Sequence, residues 1–147
     1  MAATIAAAEY ASAVADSDVE LIRQGFKDLA NGGYEALLPL IAPDFELTTP
    51  PQLSAEPDTY RGPDGMRRYF ESFYDAMEEI HFEPLEFREV GEWIVVPFRM
   101  TARGRSTGLE VEQRAVMAWQ VRNELAVRLV VFAELEEALA TVGESGD

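Results

Sequence analysis

Residues 93–103 read WIVVPFRMTAR, residues 109–121 read LEVEQRAVMAWQV, and LAVRLVVF follows at 125–132. In the first segment the even positions are Ile94, Val96, Phe98, Met100 and Ala102, and the odd side carries Arg99, Thr101 and Arg103. In the second, the odd positions are Leu109, Val111, Gln113, Ala115, Met117, Trp119 and Val121. The even positions there are Glu110, Glu112, Arg114, Val116, Ala118 and Gln120. Side chains alternate across a strand, so these segments predict a sheet with one oily face and one mostly charged face. The oily face contains no Asp, Glu, His, Lys or Arg. Any acid or base serving a pocket against that face has to come from elsewhere.

Around these strands, turn signals stand at Gly91-Glu92 and Arg122-Asn123-Glu124, with a looser connection at 104–108. Residues 80–90 alternate as another strand whose phase shifts around Pro84, which predicts a bulge or an edge there. Upstream, Val19, Ile22, Phe26 and Leu29 recur at helical spacing over 18–30. Ser17 and Glu20 have the form of a capping box, and Asn31-Gly32-Gly33 supplies a stop. A short helix interrupted by Pro39 spans 34–41, and a brief strand 45–48. Residues 49–58, with Pro50, Pro51 and Pro57, form a loop. Pro63 opens a third helix whose apolar stripe is Met66, Tyr69, Phe70, Phe73 and Met77. A closing helix is expected at 134–140. Helices first and strands afterwards indicate an α+β domain with helices on one face of a curved antiparallel sheet.

At 147 residues the chain is expected to be one domain, over 17–142, between an alanine-rich tail at 1–16 and a polar tail at 143–147. The net charge of −15 argues against nucleic acid and against anionic lipid surfaces. The chain has no cysteine, which excludes disulfides and thiolate chemistry. No apolar run approaches the ~20 residues of a membrane helix, and the expectation is a cytoplasmic protein.

Three stretches carry a family resemblance. They are Tyr60-Arg61-Gly62-Pro63-Asp64-Gly65, the run 103–113 before the Trp119 strand, and the ending 127–139. With the element order, they resemble the SnoaL-like branch of the nuclear transport factor 2-like superfamily over about 17–142. The resemblance implies a cone-shaped α+β fold, its curved sheet wrapped around the N-terminal helices, open at one end around an apolar pocket, and commonly a homodimer. Relatives include ketosteroid isomerase, limonene epoxide hydrolase, polyketide cyclases, scytalone dehydratase and noncatalytic binders. Similarity to the isomerase would put the general base at Thr49 and the oxyanion tyrosine near Gly25. The hydrolase pattern would fall on Phe98 and Met100, and a strand histidine near Met117. Glu134 stands close to where cyclases of this type carry a catalytic aspartate.

Each candidate site admits two readings. The face bearing Phe98, Met100, Met117, Trp119 and Val131, facing Phe26, Tyr69 and Phe73 on the helices, is either a filled core or the wall of a pocket for a flat hydrophobic ligand. Glu134 is either a first-turn carboxylate favoured by the helix dipole or, if it faces the cavity, a general acid or base. Asp44 is a turn residue or a superfamily acidic position, and Tyr60 a loop anchor or a hydrogen-bond donor to a ligand carbonyl. His81, the single histidine, has the parity of an exposed residue, and no ligand cluster predicts a metal. The charged side has an apolar centre of Val95, Val116, Ala118 and Val130. It is a solvated face or a two-fold interface, and the family resemblance favours the interface.

The sequence therefore predicts a homodimeric domain, without cofactor or metal, binding a small hydrophobic molecule. The alternative is a cofactor-independent isomerase, cyclase or epoxide hydrolase acting on a polyketide- or terpenoid-like substrate through Glu134, Asp44 and Tyr60.

Overall fold

The computed structural model describes residues 16–49 and 59–145. The expected alanine-rich tail and most of the proline-rich loop lie outside the described residues. The chain runs α1 (Asp16–Gly32), a 3-10 helix (Tyr34–Leu40), β1 (Ile41–Thr48), β2 (Thr59–Arg61) and α2 (Gly62–Ala76). There follow β3 (Met77–Pro84), β4 (Arg88–Val90), β5 (Trp93–Gly104), β6 (Glu110–Arg122), β7 (Leu125–Phe132) and α3 (Leu135–Ser145).

The strands make one open, curved sheet in the order β2-β1-β7-β6-β5-β3, with β4 also paired to β5. All pairings are antiparallel except β1 with β7. That parallel contact returns the N-terminal strand to the C-terminal one. It is the long-range closure that brings α1 and α2 over the concave face.

The expected parity holds where the helices cover the sheet. Ile94 faces Trp119, Val96 faces Met117 and Phe98 faces Ala115, and all six are buried. Above them lie Ile22, Phe26 and Leu29 of α1 and Met66, Tyr69 and Phe70 of α2. Burial of each large apolar side chain here contributes about 1.5–3 kcal/mol relative to exposure. An aromatic chain links the layers: Tyr60 meets Tyr69 at 5.6 Å, Tyr69 meets Phe70 at 5.4 Å, and Phe70 meets Phe82 at 5.8 Å.

Four expectations need correction or refinement. The oily side of the 109–121 segment is not buried throughout: Leu109, just before β6, is 67% exposed and Val111 37%, because this end of the hairpin projects past the helical layer. Of the bulge or edge expected around Pro84, the structure has the edge, since β3 ends the sheet and stops at Pro84, while the bulge itself lies between Glu78 and His81, with Glu79 at a φ of 53°. Beyond Pro84 the chain leaves the sheet for residues 85–87 and re-enters as β4. The first helix already begins at Asp16, which puts Ser17 inside its first turn, and the closing helix continues through Ser145.

The fourth concerns the charged side. Its apolar centre is already covered by the chain's own helix: Ala138 and Val142 of α3 pack on Trp93, Val95, Val116, Ala118 and Phe132. Beyond α3 the face carries ion pairs, Arg99 with Glu83 and Glu112, and Arg103 with Glu79 and Glu110. Exposed pairs of this kind each contribute under about 1 kcal/mol. No helix among the described residues is long and apolar enough to cross a membrane.

Candidate functional site

Two recesses lie on the concave side, and the expected pocket residues divide between them. The first is roofed by α1 and the 3-10 helix. Phe26, Met117 and Trp119 line it, together with Gly25, Leu37, Leu40 and Phe70. It spans about 440 Å³ when its open side is counted, but the side chains leave only about 20 Å³ wide enough to seat a water molecule. The second lies between α2, β3 and the sheet. Tyr69, Phe73, Phe98, Met100 and Val131 line it, with Phe82, Ala115 and Gln113. It spans about 310 Å³ with its open side and again leaves about 20 Å³ of clear space. Both are nearly closed by their own walls.

The local sequence explains the division. Tyr69 and Phe70 are successive residues of α2, about 100° apart around the helix axis, so each turns to a different recess. Phe73 follows one turn after Tyr69 on the same stripe, and the two rings meet edge to face at 5.0 Å. On the sheet, Met117 pairs with Val131 across β6 and β7, yet the two line different recesses.

Among the described residues, neither recess is lined by Asp, Glu, His, Lys or Arg. The ionisable group in their walls is the phenol of Tyr69, which is 5% exposed. Burial pushes it above its ordinary value near 10, and the neighbouring Tyr60 phenol pushes the same way. Tyr69 is therefore a neutral hydroxyl at any physiological pH, able to orient a polar ligand atom and unsuited to abstract a proton.

Among the described residues, two further side-chain polar atoms are buried without a hydrogen-bond partner: the Oγ1 of Thr49 and the Nε1 of Trp119. Phe45 and Leu47 alternate inward on β1, and Thr49, just past its end, is buried as well. Leu47 pairs with Leu129 and Thr48 with Val130, so the register carried one residue further sets Thr49 level with Val131.

Glu134 and Asp44 are exposed and line neither recess. The backbone carbonyl of Glu134 accepts the Ala138 N–H at 3.1 Å, which sets the residue at the start of α3. Tyr60 is buried, packed edge to face on Tyr69, with the Arg68 guanidinium over its ring at 5.2 Å. The structure thus brings Tyr60 and Tyr69 together and leaves both carboxylates outside. His81 is exposed on β3, as its parity predicts. Among the described residues no group of three or more His, Asp or Glu is placed to hold a metal. Leu37 and Leu40 were missed as lining residues. Phe82 was signalled by its parity opposite to His81.

A cone-like α+β sheet with helices over an apolar concave face defines the nuclear transport factor 2-like class. The SnoaL-like domain model matches residues 22–129, and the chain belongs to that family. Among solved structures it is similar to a nuclear transport factor 2-like protein of unknown function from Burkholderia pseudomallei, at 21% identity. That match covers 86% of this chain and 97% of the other, with a TM-score of 0.70. It is also similar to TerC, co-crystallised with polyporic acid, at 20% identity over 86% of this chain and 98% of that one, TM-score 0.69. A putative SnoaL-like polyketide cyclase from Jannaschia sp. matches at 12% identity over 86% and 91%, TM-score 0.66. At these identities the likeness shows a shared fold. No curated protein sequence matches the chain.

Proposed function

We propose that this domain binds a small hydrophobic molecule in the interior between the sheet, α1 and α2, without acting on it by acid/base catalysis. The observation that carries the reading is the composition of both recess walls. Aromatic, Leu, Met and Val side chains meet there with two hydrogen-bonding side chains in the second recess, Tyr69 and Gln113, and, among the described residues, no carboxylate or imidazole. Apolar walls with few polar groups suit a ligand held by burial and oriented by one or two hydrogen bonds. Proton transfer needs a titratable group within reach of the substrate, and Glu134 and Asp44 stand outside. The family and the relative crystallised with polyporic acid are consistent with an interior that accepts organic ligands.

The uncharged dye N-phenyl-1-naphthylamine tests the reading. Its fluorescence should rise saturably with one equivalent of protein. Ala115→Leu, which fills the second recess, should weaken that binding severalfold while the circular dichroism spectrum is kept. A dye that binds no better than to an unrelated acidic protein overturns the proposal. The same reading extends to a homodimer through the band from Arg99 to Glu112 that α3 leaves open, which sedimentation equilibrium would show as a doubled mass.

A further inference from the structure

One polar residue interrupts the oily side of β6. Reading toward the hairpin, that side is Trp119, Met117, Ala115, Gln113 and Val111, with Leu109 just before the strand. Trp119, Met117 and Ala115 are buried, and from Gln113 outward the column is exposed. Exposure alone does not account for a glutamine at this step. Val111 and Leu109 lie farther out, stand in solvent and are apolar. Gln113 is also the outermost residue of β6 in the wall of the second recess, and its cross-strand neighbour Met100 belongs to the same wall. The second recess therefore has a solvent-exposed polar side chain at its opening. Among the described residues, no hydrogen bond or ion pair engages that carboxamide.

The environments along this line are apolar and enclosed, then polar, then apolar and open. The enclosed part favours an aromatic ring. Four of its lining residues are aromatic, with Tyr69 and Phe73 edge to face at 5.0 Å and Phe82 and Phe98 tilted at 5.9 Å. At the polar step one carboxamide can serve one polar atom. A carbonyl oxygen needs no more than that, whereas a group with further donors would leave them against Met100 and Val111. Charge fits poorly here. Among the described residues no ionic side chain lines the recess to pair an ion, and the net charge of −15 repels anions.

We infer that Gln113 is the polar anchor of the binding site, and that the site continues outward over Val111 and Leu109. It takes an elongated neutral ketone or ester: an aromatic ring in the second recess, a carbonyl oxygen accepting the Gln113 N–H, and an open-chain apolar arm over Val111 and Leu109. This inference rests on the proposed binding function and adds the ligand's class, its orientation and its outer contact. A ring needs more than the 20 Å³ or so of clear space. Phe73, the half-buried ring of the wall, is the one placed to turn outward and open the recess toward its full span of about 310 Å³.

Three uncharged probes separate the parts. Acetophenone has the ring and the carbonyl, hexanophenone adds the outer arm, and n-hexylbenzene keeps ring and arm with CH₂ in place of the carbonyl. Calorimetric titration of the full chain should show hexanophenone binding about tenfold more tightly than acetophenone. Leu109→Ser combined with Val111→Thr should weaken hexanophenone about fivefold and leave acetophenone unchanged. Gln113→Leu should lower the affinity ratio of hexanophenone to hexylbenzene about fivefold while hexylbenzene still binds. All three positions are exposed, where substitutions are usually tolerated. Should Gln113→Leu fail to fold, the wild-type carboxamide resonances decide. Hexanophenone should move the Gln113 N–H signals downfield and leave those of Gln120, which has the opposite parity on β6, in place.

An unchanged ketone-to-hydrocarbon ratio in Gln113→Leu overturns the anchor and leaves the binding function standing. A double variant that binds both ketones as the wild type does, or loses both equally, overturns the outer contact. N-Phenyl-1-naphthylamine bound where none of the three probes binds overturns the inference alone, and failure of the dye as well overturns both.

Discussion

Met117 and Val131 face each other across β6 and β7, and each lines a different recess. One cross-strand pair is therefore the partition between the space under α1 and the space beside α2. Met117 is 1% exposed and Val131 3%, so the partition is solid. An unbranched thioether is well suited to fill such an irregular gap and to swing out of it.

Met117→Ala should join the recesses. Truncating a buried Met typically costs about 2–5 kcal/mol, and the loss here should be in the upper half because the walls on both sides are already underfilled. Urea denaturation would show the lower midpoint. The same variant should bind larger uncharged aromatics than the wild type does, which titration with N-phenyl-1-naphthylamine and bulkier analogues would reveal. A midpoint shift under about 1 kcal/mol would mean that Met117 is not the dividing wall.

Tyr69 gives the protein an alkaline limit. Its pKa is raised in the folded state above the ordinary value of 10 by burial first and by Tyr60 second. The unfolded chain thus ionises before the folded one, and above pH 10 the unfolded state binds fewer protons. Stability is fully present below that pH and falls as pH rises through the folded value, by up to about 1.4 kcal/mol per pH unit for this one group. Tyr69→Phe should flatten the fall between pH 10 and 11.5 in denaturant titrations. An unchanged slope would assign the alkaline sensitivity to other tyrosines.

Much of this arrangement is legible in the chain. Alternation over 93–121 names the side chains that face the helices, since a two-residue period leaves no choice of face once one is buried. It does not say how far the cover extends, and so Leu109 and Val111 read like Met117 while standing in solvent. Coverage from the other side had a signal that parity alone conceals: Trp93, Ile94, Val95 and Val96 are apolar without alternation, the mark of a strand buried on both faces, and α3 supplies the second cover. The candidate acids were least legible. Glu134 and Asp44 were named by type and neighbourhood, but whether a residue at a strand end faces in or out depends on the turn beside it.

Glu134→Gln should leave ligand binding and stability within about 0.5 kcal/mol of wild type, as is usual for exposed positions. The residue is exposed, and what it contributes to α3 is its carbonyl, which Gln keeps. Binding isotherms and urea midpoints measured side by side check this. A tenfold loss of affinity or of turnover for any substrate found would return Glu134 to the mechanism.

Gly65→Ala sets two effects of known size against each other. Gly65 lies in α2, where alanine is favoured over glycine by about 1 kcal/mol in a helix interior and less near the first turn. Against this, an added Cβ would stand 2.7 Å from the carbonyl carbon of Tyr60 and 3.2 Å from its Cα. Those are backbone atoms of β2, held by pairing of Tyr60 with Leu47, and they cannot rotate away as a side-chain tip would. Overpacking of this kind costs about 1–3 kcal/mol, so the clash should win and the variant should be less stable by about 1–2 kcal/mol. Gly62 is constrained separately, by a φ of 66° and by Pro43 O at 3.2 Å from an added Cβ. The two glycines of the Tyr60–Gly65 motif thus explain its form: one permits the left-handed step into α2, the other lets the helix settle on the strand it has just left. The stability loss in Gly65→Ala should come with displacement of the Tyr60 ring from Tyr69, visible in their aromatic proton shifts. A more stable variant with unmoved shifts would show that β2 yields, and that helix propensity outweighs the close approach.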